Sequence, residues 1–200
     1  MPSVSGVKGS RQTRTRVAAK KSVSPGKVWV SGISQKVKGL AVKVPVAGTK
    51  SDRADAWDIG GNVNVAGFGL TAYYGEGNGM GTTVQLRDGF DSSGQSRDSQ
   101  DWYVQGTYTI PTVGTKIGLS YGKSNLDGNS GEALHSYENK MWTLGAYHPI
   151  TKHLNLVAEY SDAKSEIASG AGTGAFVGET GIGNVKGKSK TISLGAILFF

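Results

Sequence analysis

From Lys27 to Phe200 the chain is built of short stretches in which apolar and polar positions alternate one for one, separated by turn residues. The final stretch shows the pattern most plainly. In Thr191–Phe200 (TISLGAILFF), Ile192, Leu194, Ala196, Leu198 and Phe200 occupy every second position, with Thr191, Ser193 and Gly195 between them until Ile197 and Phe199 close that side. Alternate side chains of a strand point to opposite faces, so these five form one continuous apolar face. The same period sets Trp57, Ile59, Gly61, Val63 and Val65 against Asp58, Gly60, Asn62 and Asn64. It recurs over 68–74, 102–110, 117–121, 142–147 and 154–161. With a further strand over 27–36, whose faces the pattern does not orient, about eight strands are expected, and no helical period competes with them.

The connections alternate too. Short turns at 66–67, 111–114 and 149–153 are interleaved with long loops at roughly 37–55, 75–100, 125–138 and 165–188. Short turns at one end and long loops at the other belong to an antiparallel up-and-down transmembrane β-barrel. Strands that start at the long-loop end start on Trp57, Trp102 and Trp142, and strands that finish there finish on Tyr74, Tyr121 and Tyr160. All six fall on the apolar face at one level, as an aromatic girdle at headgroup depth does. Phe68, Tyr108, Ile110 and Phe200 would make the opposite rim. Trp57 to Val65 spans about 26 Å at the strand rise, enough for the apolar band of such a barrel.

Composition narrows the chemistry. The 200 residues include 31 Gly and no Cys, which removes disulfides, thiolate nucleophiles and cysteine-ligated metals. No apolar run approaches the roughly 20 residues of a membrane helix, so any crossing is made by strands, and hydrocarbon tolerates strands only in a closed barrel. The net charge of +7 conceals two halves. Residues 1–51 hold eleven Lys or Arg and no acid, whereas residues 52–200 hold the other eleven bases and all fifteen acids. The basic half lacks interleaved aromatics, a helix-turn-helix pattern or zinc-finger spacing, so nucleic acid is not an expected partner. Residues 1–26 read as a disordered basic leader ahead of a barrel segment over 27–200. They contain no 7–15-residue apolar core, hence no secretory signal to explain export.

Catalytic and metal chemistry find little support. His135, His148 and His153 have no metal-ligand spacing, and nothing resembles a nucleophile elbow. The run Gly170–Ala175 fits a loose dinucleotide fingerprint but opens no helix. Asp88, Asp91, Asp98 and Asp101 share one loop without EF-hand spacing, so a solvated outer loop in weak contact with divalent cations is expected. No enzyme, cofactor or bound metal is expected. The polar face offers more: Asp58, Asn62, Asn64, Tyr103, Gln105, Thr107, Lys116, Asn155 and Glu159 would line a pore, and charges on a pore wall bias which ions pass. Gly60, Gly69, Gly118, Gly145 and Gly195 on that face favour open space over a plug. A non-conducting barrel that binds a partner through its long loops, and a soluble lipocalin-like carrier, are the competing readings.

The segments WDIGGNVNVAGFGLTAYY, DWYVQGTYTI and KIGLSYGKSNLD, with the aromatic-terminated last strand, resemble Gram-negative general porins. The resemblance runs from about Lys27 to Phe200 and is strongest from Ala54 onward. It implies an outer-membrane location, a sixteen-stranded trimeric barrel that passes small hydrophilic solutes, and a constriction loop folded inside. It also implies that the barrel-assembly machinery recognises the last strand through Ile192, Leu194, Ala196, Leu198 and Phe200. The chain has about half the expected strands and no counterpart of the half that carries the constriction loop. An eight-stranded barrel leaves an interior that side chains must fill, and the small polar residues of this inner face cannot fill one. The expectation is therefore the carboxy-terminal half of a wider barrel.

Overall fold

The computed structural model describes residues 14–23, 25–42, 48–81, 88–130, 132, 134–169 and 184–199. Phe200 and the glycine-rich run at 170–175 lie outside the described residues. Nine strands form one sheet: β1 (Arg14–Val23), β2 (Gly26–Val42), β3 (Gly48–Val65), β4 (Phe68–Asn78), β5 (Asp98–Thr109), β6 (Lys116–Asp127), β7 (Leu134–Pro149), β8 (Leu154–Ser169) and β9 (Val185–Leu198). Their spatial order is their chain order, every neighbouring pair is antiparallel, and β1 and β9 are the two edges of an unclosed sheet. This is the up-and-down meander that the alternation predicts, as part of a barrel rather than a closed one.

Eight of the strands stand where the period places them; β1 is the ninth. It lies inside the segment expected to be disordered and pairs with β2 from Arg14↔Gln35 to Val23↔Gly26. Its alternating Val17, Ala19 and Val23 are interrupted by Lys20, Lys21 and two Arg, which is why composition outweighed period there. The long loops are also shorter than expected. β2 and β3 run through most of 37–55, β4 and β5 reach Asn78 and Asp98, and β6 and β7 reach Asp127 and Leu134. Strand pairing continues beyond the aromatic level, but there polar residues stand on both faces, so the sequence alternation that marks a strand disappears.

The short turns hold as expected. Ala66 and Gly67 both have positive φ (48° and 85°), the conformation of a two-residue hairpin whose twist matches the strands it joins. At the second turn Gly114 donates to Ile110 O at 2.8 Å, and at the third Ile150 donates to Leu154 O at 2.9 Å.

The apolar face is left uncovered. Ile59, Leu70, Leu119, Leu144 and Leu156 are 45–55% exposed, while the only fully buried large hydrophobic side chains among the described residues are Leu126 and Leu134, at the long-loop end. A water-soluble fold of this size turns such a face inward. Here the enclosed core among the described residues sits at the long-loop ends of β3, β6 and β7, and the sheet's apolar side faces its surroundings.

Candidate functional site

Cross-strand register fixes which residues share a face. Ile59 pairs with Tyr74, Tyr74 with Trp102 and Tyr121 with Trp142, so the six girdle aromatics do lie together on the apolar face. They touch in diagonal pairs: Trp57–Tyr74 at 5.7 Å between ring centroids, Trp102–Tyr121 at 5.5 Å and Trp142–Tyr160 at 5.1 Å. Diagonal contact across one hairpin and direct pairing across the next keeps the rings level on tilted strands, completing one band across β3–β8. At the other end Phe68 and Tyr108 pack at 4.4 Å between ring centroids, tilted by 33°. On β9, Ile192, Leu194, Ala196 and Leu198 continue the apolar face, paired with Tyr160, Ala158, Leu156 and Leu154. Ile192 and Leu194 are 76% and 81% exposed.

The opposite face collects the residues expected to line a pore. Gln105, Thr107, Lys116, Asn155 and Glu159 surround a single concavity of about 730 Å³, together with Thr143, Tyr147 and Ser161. Asn62, Asn64, Asp58 and Tyr103 lie on the same face of β3 and β5 outside that hollow. Hydrogen bonds hold the first three in place. Asn62 Nδ2 donates to Thr71 Oγ1 at 2.7 Å, Asn64 Nδ2 to Asn62 Oδ1 at 2.5 Å, and the Ser31 hydroxyl to Asp58. The Tyr147 hydroxyl donates to Glu159, and Thr143 and Ser161 share a hydrogen bond at 2.9 Å. Glycine makes this face roomy: a Cβ at Gly69 would meet Thr107 Oγ1 at 2.4 Å and Asn64 Oδ1 at 2.7 Å, so only glycine lets those two polar groups lie against the wall.

Three features escaped the sequence. Trp29, on the strand that periodicity could not orient, belongs to the polar face: its ring lies over buried Gly60, where a Cβ would come within 2.1 Å of it. Beside it Tyr73 stacks on Tyr103 at 5.5 Å, a near-parallel pair, so an aromatic belt crosses the polar wall below Asp58 and Asp101. The pairing Trp29↔Gly60↔Tyr73↔Tyr103 is visible only once the register is known.

The third feature is a loop lock. Asp91, expected in a solvated loop, organises the 91–95 turn instead: its Oδ1 accepts from Ser93 N and Gln95 N, both at 2.8 Å, and from Ser93 Oγ at 2.7 Å. Its Oδ2 accepts from Asn129 Nδ2 at 3.0 Å. Partial burial pushes this carboxyl up, but the Gln95, Ser93 and Asn129 donors outweigh it and hold its pKa below the ordinary value. Arg97 Nε and Nη2 donate to Glu132 at 2.8 and 2.6 Å, joining the β4–β5 loop to the β6–β7 loop. Asp98 and Asp101 belong to β5 rather than to the loop, and Asp98 accepts from Asn78 at 2.6 Å. The histidines serve the short-turn end: His148 bonds Thr115 at 2.7 Å, and His153 contacts Phe199 O at 3.0 Å. Among the described residues no three His, Asp or Glu converge on a metal-sized site.

A family model described as Gram-negative porin matches residues 5–168, most of the chain. No curated protein and no solved structure gives a significant match.

Proposed function

The chain belongs to the family of Gram-negative porins, outer-membrane proteins of the β-barrel type, and on that premise we propose that it lets small hydrophilic solutes and ions diffuse passively through a water-filled pore. The observation that carries the reading is the division of one sheet into two faces: an exposed apolar face capped by an aromatic band, and a polar face of small, mutually hydrogen-bonded side chains around an open concavity. Water wets the second face and lipid covers the first. Asp58, Asn62, Asn64, Tyr103, Gln105, Thr107, Lys116, Asn155 and Glu159 form the pore wall, with Trp29 and Tyr73 added to them. The reaction class is permeation, without a chemical step.

Two edges cannot remain open in hydrocarbon, because unpaired backbone groups there cost several kcal/mol each. Closure with further strands answers this, and the resemblance to general porins implies sixteen in all, in a barrel that associates as a trimer. The exposed β9 row Ile192, Leu194, Ala196 and Leu198, with Phe200, serves as the signal for the barrel-assembly machinery. Planar-bilayer recording of the closed barrel that contains this wall tests the function: stepwise conductance at constant voltage is expected, and a folded barrel that inserts without any step would refute the open pore. That last outcome is what a non-conducting, loop-binding barrel would give.

A further inference from the structure

The outward face above the aromatic band is divided by charge. On β3–β5 the first two outward positions above the girdle hold Asp55, Glu76 and Asp98 against Arg53 alone. On β6–β9 the same two levels hold five lysines against Glu138 and Asp162. Four of these lysines stand side by side in one register row across four strands, Lys123↔Lys140↔Lys164↔Lys188. Like charges directly opposite each other on neighbouring strands repel, and the acids present relieve only part of that. Glu138 takes both Lys123 and Lys140, the latter at 2.5 Å, and Asp162 reaches Lys188 at 3.8 Å. Lys164 and Lys190 have no ion pair among the described residues, and both are exposed.

Immediately below the row lie the Trp142–Tyr160 pair and then Leu144, Leu194 and Leu119, which are 46%, 81% and 55% exposed. A free anion would be served by the lysines but would gain nothing from the apolar strip. A molecule with a phosphate at one end and acyl chains at the other matches both at once, and the aromatic rings sit at the boundary between its two halves. We propose that the β6–β9 sector is a binding surface for a phosphate-bearing lipid, its headgroup phosphate seated among Lys164, Lys188 and Lys190 and its chains lying on the apolar face beneath. The acidic β3–β5 sector excludes the same lipid. The proposal rests on the girdle marking headgroup depth.

The test uses the full chain in phosphatidylcholine vesicles with Trp29, Trp57 and Trp102 replaced by Phe, so that Trp142 alone reports. Brominated phosphatidylglycerol or brominated phosphatidylcholine is added in equal small amounts, and quenching is compared. Two unpaired lysines, each contributing about a fivefold preference near an anionic surface, give a preference for the phosphatidylglycerol on the order of twentyfold. The preference should fall to near unity in Lys164→Gln/Lys188→Gln/Lys190→Gln and in high salt, and stay unchanged in Glu76→Gln. The salt titration of the unsubstituted lysine row keeps the test decisive if the triple variant folds poorly. Equal quenching by the two lipids overturns the proposal alone. No quenching by either overturns the girdle and the proposal with it. Loss of the preference in millimolar inorganic phosphate at matched ionic strength assigns the row to a free anion and also refutes the lipid.

Discussion

Replacing Arg97 by Met should open the two loops that it joins. Its guanidinium is bidentate to Glu132 at 2.8 and 2.6 Å and donates to Asp88 O at 2.9 Å, and the two side chains are only 6% and 11% exposed. The substitution leaves the Glu132 carboxylate enclosed with a single hydrogen bond shown, from Asn129 N at 2.7 Å. Stranding one partner of a buried ion pair costs about 3–5 kcal/mol, whereas replacing both with apolar residues of similar volume is often neutral. The cost is local, because the lock joins two loops beyond the ends of the paired strands. Amide exchange reports it: Gly79 N–H, bonded to Arg97 O at 2.8 Å, and Gly128 N–H, bonded to His135 O at 3.0 Å, should exchange at least about a hundredfold faster in Arg97→Met. The double variant Arg97→Met/Glu132→Leu should recover most of that protection. Exchange within tenfold of the parent in the single variant, or a double variant as damaged as the single, would show that the pair holds nothing together.

Gly60→Ala should displace the Trp29 ring, since the new Cβ would lie 2.1 Å from it; with Trp29 as the sole tryptophan, emission should move to longer wavelength at a stability cost of about 1 kcal/mol for the ring surface exposed, and unchanged emission would refute the stacking. Leu156→Lys should cost about 2–4 kcal/mol of folding in bilayers, as a charge on the lipid side at mid-depth does, whereas Asn155→Lys on the neighbouring position should cost little; equal losses would mean that the faces are reversed. Asp58→Asn with Glu159→Gln should shift the reversal potential in a salt gradient toward lower cation preference without loss of folding yield. The 91–95 turn should keep its exchange protection from neutral pH down to about pH 4 and lose it as the pH falls through the lowered Asp91 value, because a carboxyl with a depressed folded pKa stabilises only while ionised; Asp91→Asn should remove that dependence.

The membrane-level part of this molecule was legible because one physical constraint writes itself into alternate positions. Where a strand separates an apolar medium from a polar one, every second residue is apolar, so the faces of β3–β9, and the one face that the aromatics from Trp57 to Tyr160 share, are legible from the alternation. Above the girdle that constraint lapses, and with it the signal: the upper halves of β2, β3 and β7 carry polar residues on both faces. β1 was lost for a related reason, its bases imitating a solvated tail. Pairs that depend on register were also beyond reach. Trp29 over Gly60, Tyr73 on Tyr103, and Arg97 with Glu132 thirty-five positions away follow from which residues become neighbours, not from any local pattern. A row of lysines across four strands is equally silent in one dimension, since its members are spread from Lys123 to Lys188.

Because the chain contains no cysteine, single cysteines placed one at a time from Trp142 to His148 on β7 can report the environment of each position without interference. In bilayer-inserted protein a membrane-impermeant, water-soluble maleimide should label positions 143, 145 and 147 and leave 144 and 146 unlabelled, a strict period of two across the apolar band. Labelling without that period, or labelling of 144 and 146 in place of 143 and 145, would contradict a wall with lipid on one side and water on the other.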